Sequence, residues 1–246
     1  MKKQIVTIAA LAMSLNMFAQ QWPVPSQEAK PGTRWWWLGS AVTENDLKWN
    51  LRQFADHGIG AIEITPIYGV QGNEKNNIPF LSPRYMEILR YVNAECKADG
   101  IEFDMATGTG WPFGGPWVPL DESASQMLII DTTVVGKKIK ALDLRPIEKK
   151  RKNTSLVGIY AFSEGKFLKI TTPLVEGTLT TKLPSKGTWR IIALYQKKGV
   201  MAVKRAAPGG AGLVIDHFDK QAVTNYLKHI ILLNLYHFIY RNSYPV

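Results

Sequence analysis

The sequence contains one cysteine, Cys96, so the chain cannot form an intrachain disulfide. Cys96 stands at helical spacing among apolar neighbours and is expected to be a buried small side chain. Histidine is also scarce. There are four in the chain, and no two of them have the spacing of zinc ligands. These shortages exclude a disulfide framework and argue against a structural zinc site.

Long apolar runs are missing as well. Lys2 and Lys3 precede a mostly apolar stretch over residues 5–15, which is too short to span a bilayer, and Ala19 offers a small residue for cleavage. This pattern predicts a signal peptide over residues 1–19 and a secreted or periplasmic mature chain without a membrane span. A buried N-terminal helix is the alternative.

Acidic residues are sparse in one segment. Between Asp131 and Arg205 there are 17 Lys or Arg and 5 Asp or Glu, a surplus that exceeds the net charge of +10 for the whole chain. The densest run, residues 149–152, favours a solvated loop between strands, and binding of an acidic polysaccharide is the alternative. No nucleic-acid partner is expected, because no nucleic-acid motif accompanies the run and the signal peptide argues against one.

Residues 109–118 combine two prolines, three glycines, two tryptophans and a phenylalanine. Such a run continues neither a helix nor a central strand. A rigid loop of this kind after a strand is a common place for a binding site, and its rings suit a flat, partly apolar ligand such as a sugar face. A loop that fills its own core with Trp and Phe is an equally good interpretation.

Strands and helices alternate in the first part of the chain. Strands are predicted over residues 33–38, 61–65 and 101–107, the second stopped by Pro66. Helices are predicted from Thr43 and from Ser82, which have capping side chains. The alternation predicts parallel strands with covering helices, and residues 212–216 read as a fourth strand of this kind.

The pattern changes between residues 127 and 204. Short β-like runs at residues 127–130, 156–162 and 189–195 are separated by turn residues. They predict an inserted antiparallel β subdomain, with an independent second domain as the alternative.

The carboxyl ends of parallel strands are where such folds place their chemistry. The residues predicted at this rim are Trp36, Glu63, Asp104, Trp111, Asp216 and His217. Their carboxylates could act as acid, base or metal ligand, and Asp216 with His217 could bind a substrate hydroxyl. For each acid alone, capping a loop or pairing with an arginine is the simpler alternative.

The last 18 residues, 229–246, do not fit this scheme. They contain no acid, no glycine and a single charge, Arg241. We interpret them as the product of a shifted reading frame, and a buried C-terminal helix or strand is the alternative.

Four stretches, in this order along the chain, resemble the start of glycoside hydrolase family 106, whose members are bacterial α-L-rhamnosidases. They are residues 34–39, 58–64, 108–117 and 205–218. The resemblance implies an α/β fold, a (β/α)8 TIM-type barrel. About its first four βα units would lie in residues 20–126 and 205–228, around the β insertion at residues 127–204.

The resemblance also implies an activity. Family members would hydrolyse terminal L-rhamnose from glycans with inversion, and they would depend on calcium. Inversion needs two carboxylates, and the family pattern places that pair beyond Lys228, so no catalytic residue and no calcium ligand is assigned. The resemblance implies that the six rim residues named above would line the sugar pocket of an intact relative. The chain then reads as an N-terminal fragment, inactive by itself. A non-catalytic carbohydrate-binding protein that keeps the aromatic rim is the alternative.

Overall fold

The computed structural model describes residues 23–147 and 152–230. These residues form a mixed α/β structure with two separate apolar cores, one beneath a parallel sheet and one inside an antiparallel β region. The predicted signal peptide, most of the basic run and residues 231–246 lie outside the described residues.

The parallel sheet has three strands in the order β1-β2-β3. They are β1 (Gly32–Leu38), β2 (Ala61–Ile67) and β3 (Glu102–Met105), connected by α1 (Glu44–Asp56) and α2 (Pro83–Asp99). Both helices pack against one face of the sheet and share its core. The predicted alternation of parallel strands and covering helices is confirmed for these elements.

Local side-chain chemistry sets the ends of both helices. The Thr43 hydroxyl oxygen accepts the Asp46 backbone N–H at 3.3 Å, and the Ser82 hydroxyl oxygen caps α2 in the same way. The residue that follows α2 and caps its C-terminus is Gly100, whose φ of +67° lies in the left-handed region that glycine adopts without strain. The predicted helix starts are therefore confirmed.

Replacing Thr43 by alanine is expected to lower the free energy of unfolding by about 1 kcal/mol, because the Asp46 N–H loses its partner. Urea unfolding followed by circular dichroism measures the change. Thr43→Ser keeps the oxygen and should unfold like the parent chain. A Thr43→Ala chain as stable as Thr43→Ser would show that the cap contributes nothing.

The prediction that the second strand stops at Pro66 is wrong, because β2 continues to Ile67. The Gly39 N–H donates to the Ile67 carbonyl at 2.9 Å, so the polar groups of Ile67 point towards β1. Those of Pro66 therefore point towards the β3 side. Pairing with β3 has already ended at Ile64 opposite Met105, so no ladder bond is lost at Pro66.

The antiparallel region contains the predicted strands. One sheet has the order β5-β10-β7-β8, and a second pairs β6 with β9. The strands are β5 (Ser125–Val135), β6 (Lys138–Asp143), β7 (Thr154–Ser163), β8 (Lys166–Ile170), β9 (Thr178–Lys182) and β10 (Thr188–Lys198). Alternate residues of the central strand β10, including Trp189, Ile191 and Ala193, are fully buried, which is the period expected of a half-covered sheet.

The fourth predicted strand is much shorter and lies elsewhere. It is β11 (Leu213–Val214), which pairs antiparallel with β4 (Gly114–Gly115) and not with the parallel sheet. A Cβ on Gly114 would lie 2.2 Å from the Leu213 carbonyl oxygen, so this close pairing requires glycine there. The described residues thus contain three parallel strands, not four, and these do not close a barrel.

The last described helix is α3 (Lys220–Leu227), capped by Asp219. Tyr226 and Ile230 bury their side chains in the core of the parallel sheet. Within the described residues, no helix combines the length and the apolar character needed to cross a bilayer.

Candidate functional site

The face of the parallel sheet opposite the helices carries its polar side chains. Side chains alternate along a strand, so Trp35 and Trp37 point towards the helices while Arg34 and Trp36 point to the other side. The strand register aligns Arg34, Glu63 and Asp104 in one row across β1, β2 and β3. Two predicted residues, Glu63 and Asp104, are therefore neighbours on this open face.

Glu63 is held by two partners. The Arg34 Nε and Nη2 donate to Oε1 and Oε2 at 3.1 and 3.2 Å, and the Thr65 hydroxyl donates to Oε1 at 3.1 Å. The ion pair is partly solvent-exposed and stabilises the fold by less than about 1 kcal/mol. Its effect is to fix the position of the guanidinium on the open face. Sequence reasoning missed Arg34 as a site residue, although its period-two spacing from Trp36 could have indicated it.

Asp104 lies beside Glu63 with its carboxylate exposed, accepting the Met105 backbone N–H at 2.7 Å. An inverting glycosidase needs two carboxyl groups that act as acid and base, roughly 6.5–9.5 Å apart. Because the Glu63 carboxylate is engaged by Arg34 and Thr65, these two acids give no support for such a pair. They can bind hydroxyl groups of a ligand.

Aromatic rings border this row. The Trp36 and Trp111 ring centroids are 5.4 Å apart at an interplanar angle of 58°, and the two side chains are 44% and 38% exposed. The guanidinium carbon of Arg34 lies 5.8 Å from the Trp36 ring centroid. A charged row and two accessible indoles thus share one surface.

Two adjoining cavities open on this surface, of about 650 Å³ and about 300 Å³. Both are lined by Arg34, Glu63 and Asp104, the first also by Trp36 and the second by Trp111. Their volumes fall in the range of small-molecule sites, roughly 300–1,000 Å³. We call the surface formed by Arg34, Trp36, Glu63, Asp104 and Trp111 the open-face site.

The loop that carries Trp111 is clamped by a distant segment. The Trp111 N–H donates to the Lys204 carbonyl at 2.9 Å, and the Lys204 N–H donates back at 2.8 Å. Gly110 precedes it with a φ of +58°, and a Cβ there would lie 2.0 Å from the Lys204 carbonyl oxygen. Farther along, Trp117 packs against the core. The loop therefore does both things proposed for it, presenting one tryptophan and burying another.

The structure does not bring Asp216 and His217 to the open-face site. The Asp216 carboxylate accepts the Ser125 hydroxyl at 3.2 Å and the Phe218 N–H at 3.1 Å, at the start of the antiparallel region. The His217 side chain is exposed. Neither residue lines the two cavities. A contact of these two with a sugar stays a prediction.

A calcium site is not evident in the described residues. Within residues 23–147 and 152–230, no group of three or more His, Cys, Asp or Glu side chains is placed to hold a metal ion. Arg34 also places a positive charge beside Glu63, which opposes cation binding there. The acids of the open face therefore do not fit the calcium implied by the resemblance.

His229 gives the fold a dependence on pH. Its ring stacks on Trp117 with centroids 4.7 Å apart, and burial lowers its pKa below the usual 6.5. The unfolded chain then binds more protons than the folded one, so this contribution to stability is complete above about pH 6.5 and is lost as the pH falls below it. Unfolding by urea at pH 7.5 and 5.5 should show the loss, and His229→Phe should reduce it. An equal loss in His229→Phe would assign it to other groups.

Comparison with known proteins identifies a matching family and relatives in sequence and in fold. The family model described as alpha-L-rhamnosidase matches residues 23–156. A protein of Formosa agariphila named "Putative beta-glucuronidase" is 23% identical over 244 residues, covering 82% of this chain and 21% of that protein.

A solved structure supports the same relationship at the level of the fold. The structure of a rhamnosidase from Novosphingobium sp. PP1Y superimposes with a TM-score of 0.54 at 14% identity, covering 87% of this chain and 37% of that one. The chain thus spans about a fifth of the curated relative's length and somewhat over a third of the solved rhamnosidase. Because the family model matches more than half of the sequence, this chain belongs to glycoside hydrolase family 106, the α-L-rhamnosidase family.

Proposed function

We propose that this chain is the N-terminal part of a secreted glycoside hydrolase that removes terminal L-rhamnose from glycans, and that the open-face site is its contribution to the sugar pocket. The observation that carries the proposal is the row of Arg34, Glu63 and Asp104 beside the indoles of Trp36 and Trp111. Family membership and the short span of the chain relative to both relatives support it.

The chemistry of the site suits a deoxy sugar. L-Rhamnose has hydroxyl groups on its ring and an apolar methyl group in place of one hydroxymethyl. The fixed Arg34 guanidinium can donate to a sugar hydroxyl, and the Asp104 carboxylate can accept from one. The Trp36 and Trp111 rings offer apolar surface to the methyl group and to the C–H face of the ring.

A barrel that continues beyond Lys228 would complete the pocket. Parallel sheets are normally covered on both faces. The described residues cover the helix side of β1–β3, but on the other face they leave Arg34, Trp36 and Asp104 exposed. Later strands would cover the open face and supply the acid and the base for inversion, which the open-face acids do not provide. Calcium dependence remains an expectation of the family resemblance, with its ligands among those later residues.

Two measurements test this function. The first is sequencing of the gene around and after the codon for Lys228, with translation in all three frames. A frame that continues with further strand and helix units would supply the protein for the second, an assay with the 4-nitrophenyl glycosides of α-L-rhamnose and of β-D-glucuronic acid. We expect turnover of the rhamnoside by the long protein and none by the 246-residue chain. Turnover of the glucuronide alone would overturn the substrate assignment.

A second candidate function is carbohydrate binding without catalysis, favoured by the accessibility of Trp36 and Trp111. Binding of a rhamnoside by the 246-residue chain without turnover, lost in Trp111→Ala, would support it if no reading frame continues. Absence of binding would exclude the binding function. The glycoside hydrolase function would then still be tested by the search for a reading frame that continues beyond Lys228.

A further inference from the structure

A second surface, distant in sequence from the open-face site, has the character of a glycan platform. It is the outer face of the β5-β10-β7-β8 sheet. Along β10, Trp189 and Ile191 are buried in the core between the sheets, so Arg190 and Ile192 point outward. The register places Phe162 and Tyr160 of β7 beside these two outward residues. The aromatic side chains of Tyr160 and Phe162 therefore lie on the outer face of the sheet, while its inner face packs against the core.

Three rings form a continuous aromatic patch on this face. The Phe162 and Phe167 centroids are 5.2 Å apart, as expected of directly opposed residues on β7 and β8. The Tyr160 and Phe167 centroids are 5.8 Å apart, with an interplanar angle of 15°. Phe162 is 38% exposed and Phe167 is 62% exposed, so these rings are accessible in spite of their mutual contact.

Gly158 shapes the patch. A Cβ on Gly158 would lie 2.8 Å from the Tyr160 hydroxyl oxygen and 3.1 Å from two of its ring carbons. The Tyr160 ring therefore lies over Gly158, along the sheet, and the Phe167 ring is close to parallel with it. Tyr160 and Phe167 thus present nearly parallel rings, and Phe162 is tilted by 49° against Phe167. Aromatic faces of this kind can stack on the C–H face of a pyranose ring.

The charges around the patch favour an anionic ligand. Lys169 pairs with Tyr160 across β7 and β8, and no carboxylate of the described residues forms a salt bridge with it. On β5, Asp131 lies opposite Ile192, in the same row as Tyr160 and Lys169. Its Oδ1 accepts a hydrogen bond from the Arg190 Nε at 2.9 Å, so this acid is already paired. The surrounding segment, residues 131–205, has 17 basic and 5 acidic residues. A second copy of this chain carries the same net charge of +10 and would be repelled, so an anionic glycan suits this face better than a second copy.

We propose that the outer face of this sheet binds acidic polysaccharide. Phe162, Phe167 and Tyr160 stack on successive pyranose rings, and Lys169 meets a uronic acid carboxylate. The platform would hold the chain on an acidic glycan, and it does not depend on whether the open-face site acts on rhamnose.

Affinity electrophoresis of the 246-residue chain in gels containing polygalacturonate tests the proposal. The matched ligand is the methyl-esterified polymer, which keeps the sugar rings and loses the charges. We expect retardation by polygalacturonate, weaker retardation by the ester, and a decrease with added salt, because screening weakens exposed charge pairs. No retardation by polygalacturonate, or equal retardation by both polymers, would overturn the proposal.

Variants assign the binding to the patch. Phe167→Ala should weaken binding about tenfold, through loss of a stacking ring. Phe167→Tyr, which keeps an aromatic ring, should bind like the parent chain. Phe218→Ala, which removes a fully exposed ring elsewhere, should have no effect on binding. Lys169→Gln should weaken binding of the acid polymer only, whereas Lys140→Gln on β6 should not.

Light scattering tests the other occupant of this face, a second copy of the chain. We expect the molar mass of the parent chain and of Phe167→Ala to be the same at all concentrations. Equal effects of Phe167→Ala and Phe218→Ala on binding would contradict the assignment. So would concentration-dependent dimers that disappear in Phe167→Ala.

Discussion

Replacing Gly110 by alanine is expected to destabilise the fold by about 3 kcal/mol and to release the Trp111 loop. Two effects add. A non-glycine residue in the left-handed region costs roughly 1–2 kcal/mol, and Gly110 has a φ of +58°. The new Cβ would also lie 2.0 Å from the Lys204 carbonyl oxygen, which belongs to the backbone pair that clamps Trp111. Urea unfolding measures the stability, and the indole N–H signal of Trp111 reports the loop.

Gly72→Ala is the matched control. Gly72 has a φ of +85°, and a Cβ there meets no atom within 4 Å, so only the backbone strain of roughly 1–2 kcal/mol applies. Its Trp111 signal should stay unchanged. Equal destabilisation by the two substitutions, or an unmoved Trp111 signal in Gly110→Ala, would show that the Lys204 contact does not hold the loop.

Trp37→Ala is expected to lower the free energy of unfolding by about 3–5 kcal/mol, the range for emptying the site of a buried aromatic side chain. Trp37 is 1% exposed, and its ring packs edge-on against Trp35 and Tyr85 in the core between β1 and the helices. This is a large share of the stability of a typical domain, about 5–15 kcal/mol.

The preceding residue is the control for this substitution. Trp36 lies on the same strand with its side chain on the opposite face, so Trp36→Ala should cost less than about 1 kcal/mol. Comparable losses for Trp36→Ala and Trp37→Ala in urea unfolding would contradict the assignment of the two faces of β1. A Trp37→Ala chain that fails to fold would agree with it, provided that Trp36→Ala folds.

The parts of the fold that the sequence predicts well are those decided by near neighbours. Thr43 and Ser82 cap helices through bonds to residues three positions on, and Gly100 ends one by its own backbone freedom. The period-two burial along β10 follows from the pleat alone. Such features need no knowledge of the rest of the chain.

The predictions that failed depend on distant partners. Residues 212–216 have the composition of a barrel strand, yet Leu213 pairs with Gly115 because the glycines allow an approach closer than any side chain permits. Pro66 remains in its strand because β3 ends before reaching it. These outcomes depend on which strand lies alongside, and composition does not contain that information.

The candidate site shows the same division. The alternation of strands and helices predicts that Glu63 and Asp104 lie at one rim, and the register places them side by side. The role of Arg34 could not be predicted without the register between β1 and β2, which sets Arg34 directly beside Glu63. The Asp216 carboxylate instead receives the Ser125 hydroxyl, across 91 positions of sequence, and so lies with the antiparallel region.

We propose that the open face of the parallel sheet is the sugar-facing surface, and a titration of the 246-residue chain with L-rhamnose tests this claim most directly. The indole N–H signals of the eight tryptophans, assigned with single Trp→Phe variants, are the readout. We predict shifts of Trp36 and Trp111, unchanged signals of the buried Trp37 and Trp189, and no response to D-glucose. A titration that moves neither Trp36 nor Trp111, or moves them equally with D-glucose, would contradict the claim.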